Sequence, residues 1–239
     1  MSILDQLGKQ LGFGSLEEGR FQYCGKFVEQ HSDGSITVSM PEYHTNMSPV
    51  PVPAHRKKDL NSDLTPAEMK QLCGLLGSLQ RLVAQVCVDQ AFALSVLQSE
   101  KPKISTLLKA NVLVRRFKEH SDFHFHFKPF DLEDAGVMVV TDASLGNVRQ
   151  DGSQGEEPLE RVFSQSAYMV FLGEKKLING QTGKFAMIDC RSHRIGRFCR
   201  STYGAELLGA EEGFDVGQFV RGLAAEFRGL QVSSSWKAW

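Results

Sequence analysis

Val137 to Asn147 reads VMVVTDASLGN, and the fold turns on how this stretch is read. Four apolar residues and a threonine run into Asp142, and Ala143, Ser144, Gly146 and Asn147 follow. That composition predicts a strand that delivers one carboxylate to its end before the chain turns away. An acid so placed has two readings. It caps the turn, as Asp often does after a strand, or it is a ligand whose partners lie elsewhere in the chain.

Downstream, the polar stretch GNVRQDGSQGEEPLE (146–160) separates this strand from AYMVFL (167–172), and KFAMID (184–189) supplies a third apolar run. Three strands joined by loops predict an antiparallel meander. The third run leads into a basic segment, with Arg191, His193, Arg194, Arg197 and Arg200 preceding RSTYGAELL. Ser201 or Thr202 can cap a helix continuing through Leu207, Ala210, Phe214, Phe219, Leu223 and Phe227 to a glycine-containing end near Gly229. Glu206 falls in its first turns, where the helix dipole favours an acid without any functional demand. The basic segment is read either as a solvated turn or as a phosphate-binding edge, which needs clustered cations and not a basic protein.

Upstream, FQYCGKF (21–27) and SITVSM (35–40) predict two strands of a hairpin about Ser32-Asp33-Gly34. Pro49, Pro51 and Pro53 alternate and predict an extended connector, followed by the basic run His55-Arg56-Lys57-Lys58, read as a solvated loop or a phosphate contact. Thr65-Pro66-Ala67-Glu68 combines a capping box with proline at the first helical position. Met69, Leu72, Leu76, Leu79, Val83 and Val86 then form one apolar stripe, ending near Asp89. Two further helices are predicted at 92–97 and 107–117. Phe123 to Phe127 alternates strictly, placing His124 and His126 on one strand face; two histidines can share a metal, but no third ligand is fixed by spacing.

The 239 residues are 41% hydrophobic, enough for one large or two small cores. A formal net charge of -1 neither points to nor excludes a polyanionic partner, so charge placement has to decide. Five widely spaced cysteines without a CxxC pair indicate reduced thiols, neither a disulfide framework nor a zinc site. No apolar run approaches the roughly 18 residues a bilayer span needs. The expectation is an intracellular protein, cytoplasmic or nuclear, with no membrane partner.

Together these segments resemble the C-terminal part of the Pol polyprotein of Ty1/copia-type retrotransposons. TDASLGN (141–147) resembles the family's S/T-D-A-D/S-W-A-G/N segment, and RSTYGAELLGA (200–210) resembles its S-T-x-A-E segment. SQSAYMVFLG (164–173) is similar to the strand S-x-x-G-Y-x-x-F-L-G. LCGLLGSLQRLVAQVCVD (72–89) resembles the stretch that joins reverse transcriptase to ribonuclease H, and FQYCGKFVEQHSDGSITVSMPEY (21–43) resembles a hairpin before it. The matches keep the family's order.

The resemblance implies an α+β fold: a terminal hairpin and connector over 1–60, a helical connection region over 61–120, and a partial ribonuclease H-like domain over 121–239, built as a three-stranded antiparallel meander plus a long helix. It implies Asp142 and Glu206, 64 residues apart, as catalytic ligands of Mg2+. In intact relatives such ions, about 3.5 to 4 Å apart, steady the attacking and leaving oxygens when the RNA strand of an RNA/DNA hybrid is hydrolysed. In the phosphate-binding reading of the basic segment, Arg191, Arg194, Arg197 and Arg200 are the candidate nucleic-acid-binding residues, the alternative being a solvated turn.

There are departures. No Y-x-D-D motif occurs, Arg81 stands at a position usually aromatic, Cys87-Val88-Asp89 replaces R-P-D, and Leu145 replaces a tryptophan. The family's third acid, on a fourth strand after the helix, has no counterpart before SSSWKAW. The expectation is therefore an incomplete and inactive site, with a non-catalytic nucleic-acid-binding or scaffolding module as the alternative. A strand apolar on both faces but lacking one neighbour is further expected to self-associate through its edge, to lower solubility, or to be covered by the tail around Trp236 and Trp239.

Overall fold

The computed structural model describes Gly12, residues 17–150 and residues 161–230. The tail with Trp236 and Trp239 and the polar stretch over 151–160 lie outside the described residues. The chain is an α+β protein with two antiparallel sheets and a helical core.

The first sheet has the order β1-β2-β3-β4. Strands β1 (Arg20–Tyr23) and β2 (Lys26–Gln30) meet through Cys24 and Gly25, at φ 51° and 78°. Two successive positive φ values make the two-residue turn that matches strand twist, so FQYCGKF is two strands and not the single strand its apolar content suggested. The hairpin to β3 (Ile36–Ser39) forms as read: Asp33 Oδ1 accepts from the Ser35 amide at 2.9 Å and from its hydroxyl at 2.6 Å. Strand β4 (His124–Phe127) pairs antiparallel with β3, Phe125 opposite Val38, and so joins this sheet. Its histidines are exposed and its phenylalanines half-buried.

Between the sheets runs the helical core. Helix α1 (Pro41–Asn46) is short. Helix α2 (Pro66–Gln85) opens on the expected capping box: the Glu68 amide donates to Thr65 Oγ1 at 3.3 Å, and the Thr65 amide donates back to Glu68 Oε2 at 2.8 Å. Its buried stripe of Leu72, Leu75, Leu79, Leu82 and Val83 packs with Leu94 and Leu97 of α3 (Ala91–Ser99) and with Leu107, Ala110, Val114 and Phe117 of α4 (Ile104–Glu119). The proline connector is held from α4, where the Asn111 side chain accepts from the Val50 amide at 2.7 Å and donates to its carbonyl at 2.8 Å. In the basic run after the connector, the Arg56 guanidinium is engaged by Glu68 at 2.8 Å. That pairing, with the Thr65 amide, pulls the Glu68 carboxyl down to about 2.

The second sheet has the order β5-β6-β7. Strand β5 (Ala135–Gln150) does not end at Asp142: it pairs with β6 (Arg161–Glu174) through Asp142↔Ala167 and on to Gln150↔Arg161, broken by an irregularity between Ser144 and Val148. The glycine read as a turn is Gly146, at φ 62°, inside that irregularity. Strand β7 (Phe185–Arg194) is also longer than expected, so Arg191 and Arg194 lie on a strand and not in a turn.

Helix α5 (Thr202–Phe227) starts at Ser201, whose hydroxyl accepts the Gly204 amide at 3.1 Å. Its buried face is small: Ala205, Gly209, Gly213, Gly217 and Val220. A Cβ on Gly213 would collide with Thr141 Cγ2, and one on Gly217 with Val139 Cγ2, so the helix backbone lies against the side chains of β5. The large apolar residues face outward, with Phe214 61% and Phe227 82% exposed.

Candidate functional site

The position of Asp142 follows from the strand pleat. Thr141 and Ala143 lie beneath α5, near Gly213 and Gly209. Side chains alternate along a strand, so Asp142 leaves the opposite face. There, exposed, it lines a cleft of about 460 Å³ with Asp89, Phe92, Gln165, Met169 and Arg191. Gln165 ties this face to the helical core: buried, it donates from Nε2 to Ser95 Oγ of α3 at 2.9 Å and to Ser192 Oγ of β7 at 3.0 Å.

Glu206 sits on the α5 side of the same strand. Its Oε2 accepts the amide of Ala143 at 3.1 Å. The direction of that amide is informative. Ser164, on β6, accepts from Ile195 beyond the end of β7, so even-numbered residues of β6 bond toward β7 and odd-numbered ones toward β5. Asp142, opposite Ala167, therefore bonds inward to β6, and Ala143 directs its amide out of the sheet edge. Glu206 takes the place of a neighbouring strand's carbonyl there.

The two predicted metal ligands thus come to neighbouring places, Asp142 on the face of β5 away from α5 and the Glu206 carboxylate at the strand edge on the amide of Ala143. Among the described residues no group of three or more His, Cys, Asp or Glu is placed to hold a metal ion, and this includes His124 and His126.

The four predicted basic residues divide. Arg191 Nη1 pairs with Glu212 at 3.1 Å, and Arg194 stacks over the Phe163 ring at 4.0 Å from its centroid. His193 shares Glu212, its Nε2 2.9 Å from Oε2; burial, aided by Arg191 and opposed by Glu212, lowers its pKa. Both strand arginines are therefore engaged within the sheet and helix. Arg197 and Arg200 are exposed on the turn between β7 and α5 and make no ion pair among the described residues. Between and beside them stand two aromatic rings that sequence reasoning passed over: Phe198 is 83% exposed and Tyr203 77%. The signal was present in RFCRSTY, where cations and aromatics are interleaved, but the segment was read for its charge and its helix cap alone.

No helix among the described residues is long and apolar enough to cross a membrane. No protein-family model, curated protein or solved structure matches the chain.

Proposed function

We propose that this chain is a non-catalytic, ribonuclease H-like module of copia-type Pol descent, which binds nucleic acid through the turn from Arg197 to Tyr203. The lineage rests on the ordered sequence resemblance, supported by an antiparallel meander followed by a long helix whose Glu206 docks one residue after Asp142. Hydrolysis is not assigned to the chain, because among the described residues no third acid or histidine joins Asp142 and Glu206 in a group placed to hold a metal ion.

The binding role rests on one observation: Phe198 and Tyr203 are largely exposed and interleaved with two cations that no acid neutralises among the described residues. Burying apolar rings is the default in folding, and rings left in water beside arginines make a stacking platform for bases, with the guanidinium groups placed for phosphates. Such a surface takes a single strand, or the frayed or overhanging end of a hybrid, without reading sequence.

Fluorescence anisotropy with a labelled single-stranded oligonucleotide tests this. Phe198→Ala is expected to weaken binding on the order of tenfold, within the range of about 1–3 kcal/mol for one stacked base. Arg197→Ala with Arg200→Ala reduces the slope of log K against log salt by about 1.4, or roughly 0.7 for each phosphate that is no longer neutralised. Binding that is insensitive to all three substitutions would overturn the assignment.

A further inference from the structure

The outer edge of β5 is an open edge of the second sheet among the described residues. Odd-numbered residues direct their backbone groups away from β6, so the amides and carbonyls of Val137, Val139 and Thr141 point out of the sheet with no backbone partner among the described residues. Ala143 is the exception, its amide closed by Glu206. Edges that must stay single carry lysine, proline or inward charges, and Val137 to Thr141 carries none of them. The side chains on it are themselves exposed apolar groups: Val139 is 37% and Val140 57% exposed.

We propose that this edge pairs antiparallel with the same edge of a second copy, about a two-fold axis through Val139. That register sets Val139 opposite Val139 and Val137 opposite Thr141, so every open odd-numbered residue meets another and exchanges both hydrogen bonds. Two shifted registers of the same parity fare worse. A shift one way sets Asp142 opposite Asp134 of the second copy, a like-charge pair, and a shift the other way sets Val137 opposite Ala143, whose amide is already taken.

Charge chooses the same register. With the axis at Val139, Asp142 lies opposite Gly136 of the second copy. The Lys175 Cγ stands 3.6 Å from where a Cβ on Gly136 would be, on the face that Asp142 shares. Within its own chain the half-exposed Lys175 ammonium donates to the Glu133 carbonyl at 3.2 Å and stands 4.0 Å from Asp134, and with three donors it can also meet the incoming carboxylate. The helices also fit. Helix α5 packs over both β5 and β6, the two strands whose side chains approach Gly213. With strands about 4.8 Å apart, the two copies of α5 come to lie roughly 10 Å apart on the same face, a normal helix spacing. Phe214, 61% exposed on the flank of α5 above this edge, is covered there. Asp142 is then an interface residue, not a metal ligand.

Sedimentation equilibrium of the full chain tests the pairing. The expected species has twice the monomer mass of 26.6 kDa. Asp142→Lys and Lys175→Asp, each made alone, set like charges across the axis and should raise the dissociation constant on the order of tenfold. The double variant, which restores opposite charges, should recover the wild-type value. Circular dichroism confirms that each variant is folded, and Lys175, on the surface, gives a variant that does not disturb the core. A monomeric wild type overturns the proposal, and so does a dimer that neither single substitution weakens or that the double variant fails to restore.

Discussion

His44 carries the strongest residue-level constraint on the helical core. It is 1% exposed, its Nδ1–H donates to the Phe117 carbonyl at 2.9 Å, and its Nε2 accepts the Cys87 thiol at 3.5 Å. Burial holds the imidazole pKa below the ordinary 6.5, with the Phe117 bond opposing, and burial also pushes the Cys87 thiol up to about 12. Both groups are therefore neutral at pH 7. A histidine whose pKa is lowered on folding contributes stability that is fully present above the unfolded value and is lost as pH falls below it. The urea midpoint should drop between pH 7.5 and pH 5.5, and His44→Gln, which does not titrate, should be less stable at pH 7.5 but less sensitive to pH. An unchanged midpoint in the wild type would contradict the buried neutral ring. None of this was legible in the sequence, where His44 sits in PEYHTN without periodic context. Asp142 was legible as a strand residue, but its face was not, because the pleat's phase is set by which side α5 covers.

At the scale of elements, local chemistry was read well where it is self-contained. The capping box at Thr65 and the turn at Asp33 need only their neighbours, and both form as the sequence indicates. The turn at Cys24 was missed because a non-glycine residue takes its positive φ of 51°. The packing of α5 was missed for a tertiary reason: its large apolar residues predict a core face, yet close approach to β5 selects the glycine face instead. Gly213→Ala measures this directly. Helix propensity alone would make alanine stabilising by about 1 kcal/mol, whereas the collision with Thr141 should make it destabilising by roughly 1–3 kcal/mol. The melting temperature should fall by several degrees; a rise would show that the helix can stand off from the sheet.

For the whole molecule, two sheets accompany a helical core, and helix α3 links that core to the second sheet, with Ser95 bonded to Gln165. The order of elements was legible because it follows hydrophobic period. What the acids do was not, since convergence of two side chains 64 residues apart depends on strand phase and helix placement together. The proposed lineage and the proposed absence of hydrolysis stand on different observations and can be separated in one gel. A labelled RNA strand, annealed to DNA with a single-stranded RNA overhang, is incubated with the chain in magnesium and resolved under native and denaturing conditions. The account predicts a retarded complex whose RNA remains intact, identical for the wild type and Asp142→Asn. Magnesium-dependent cleavage of the RNA that Asp142→Asn abolishes would contradict it.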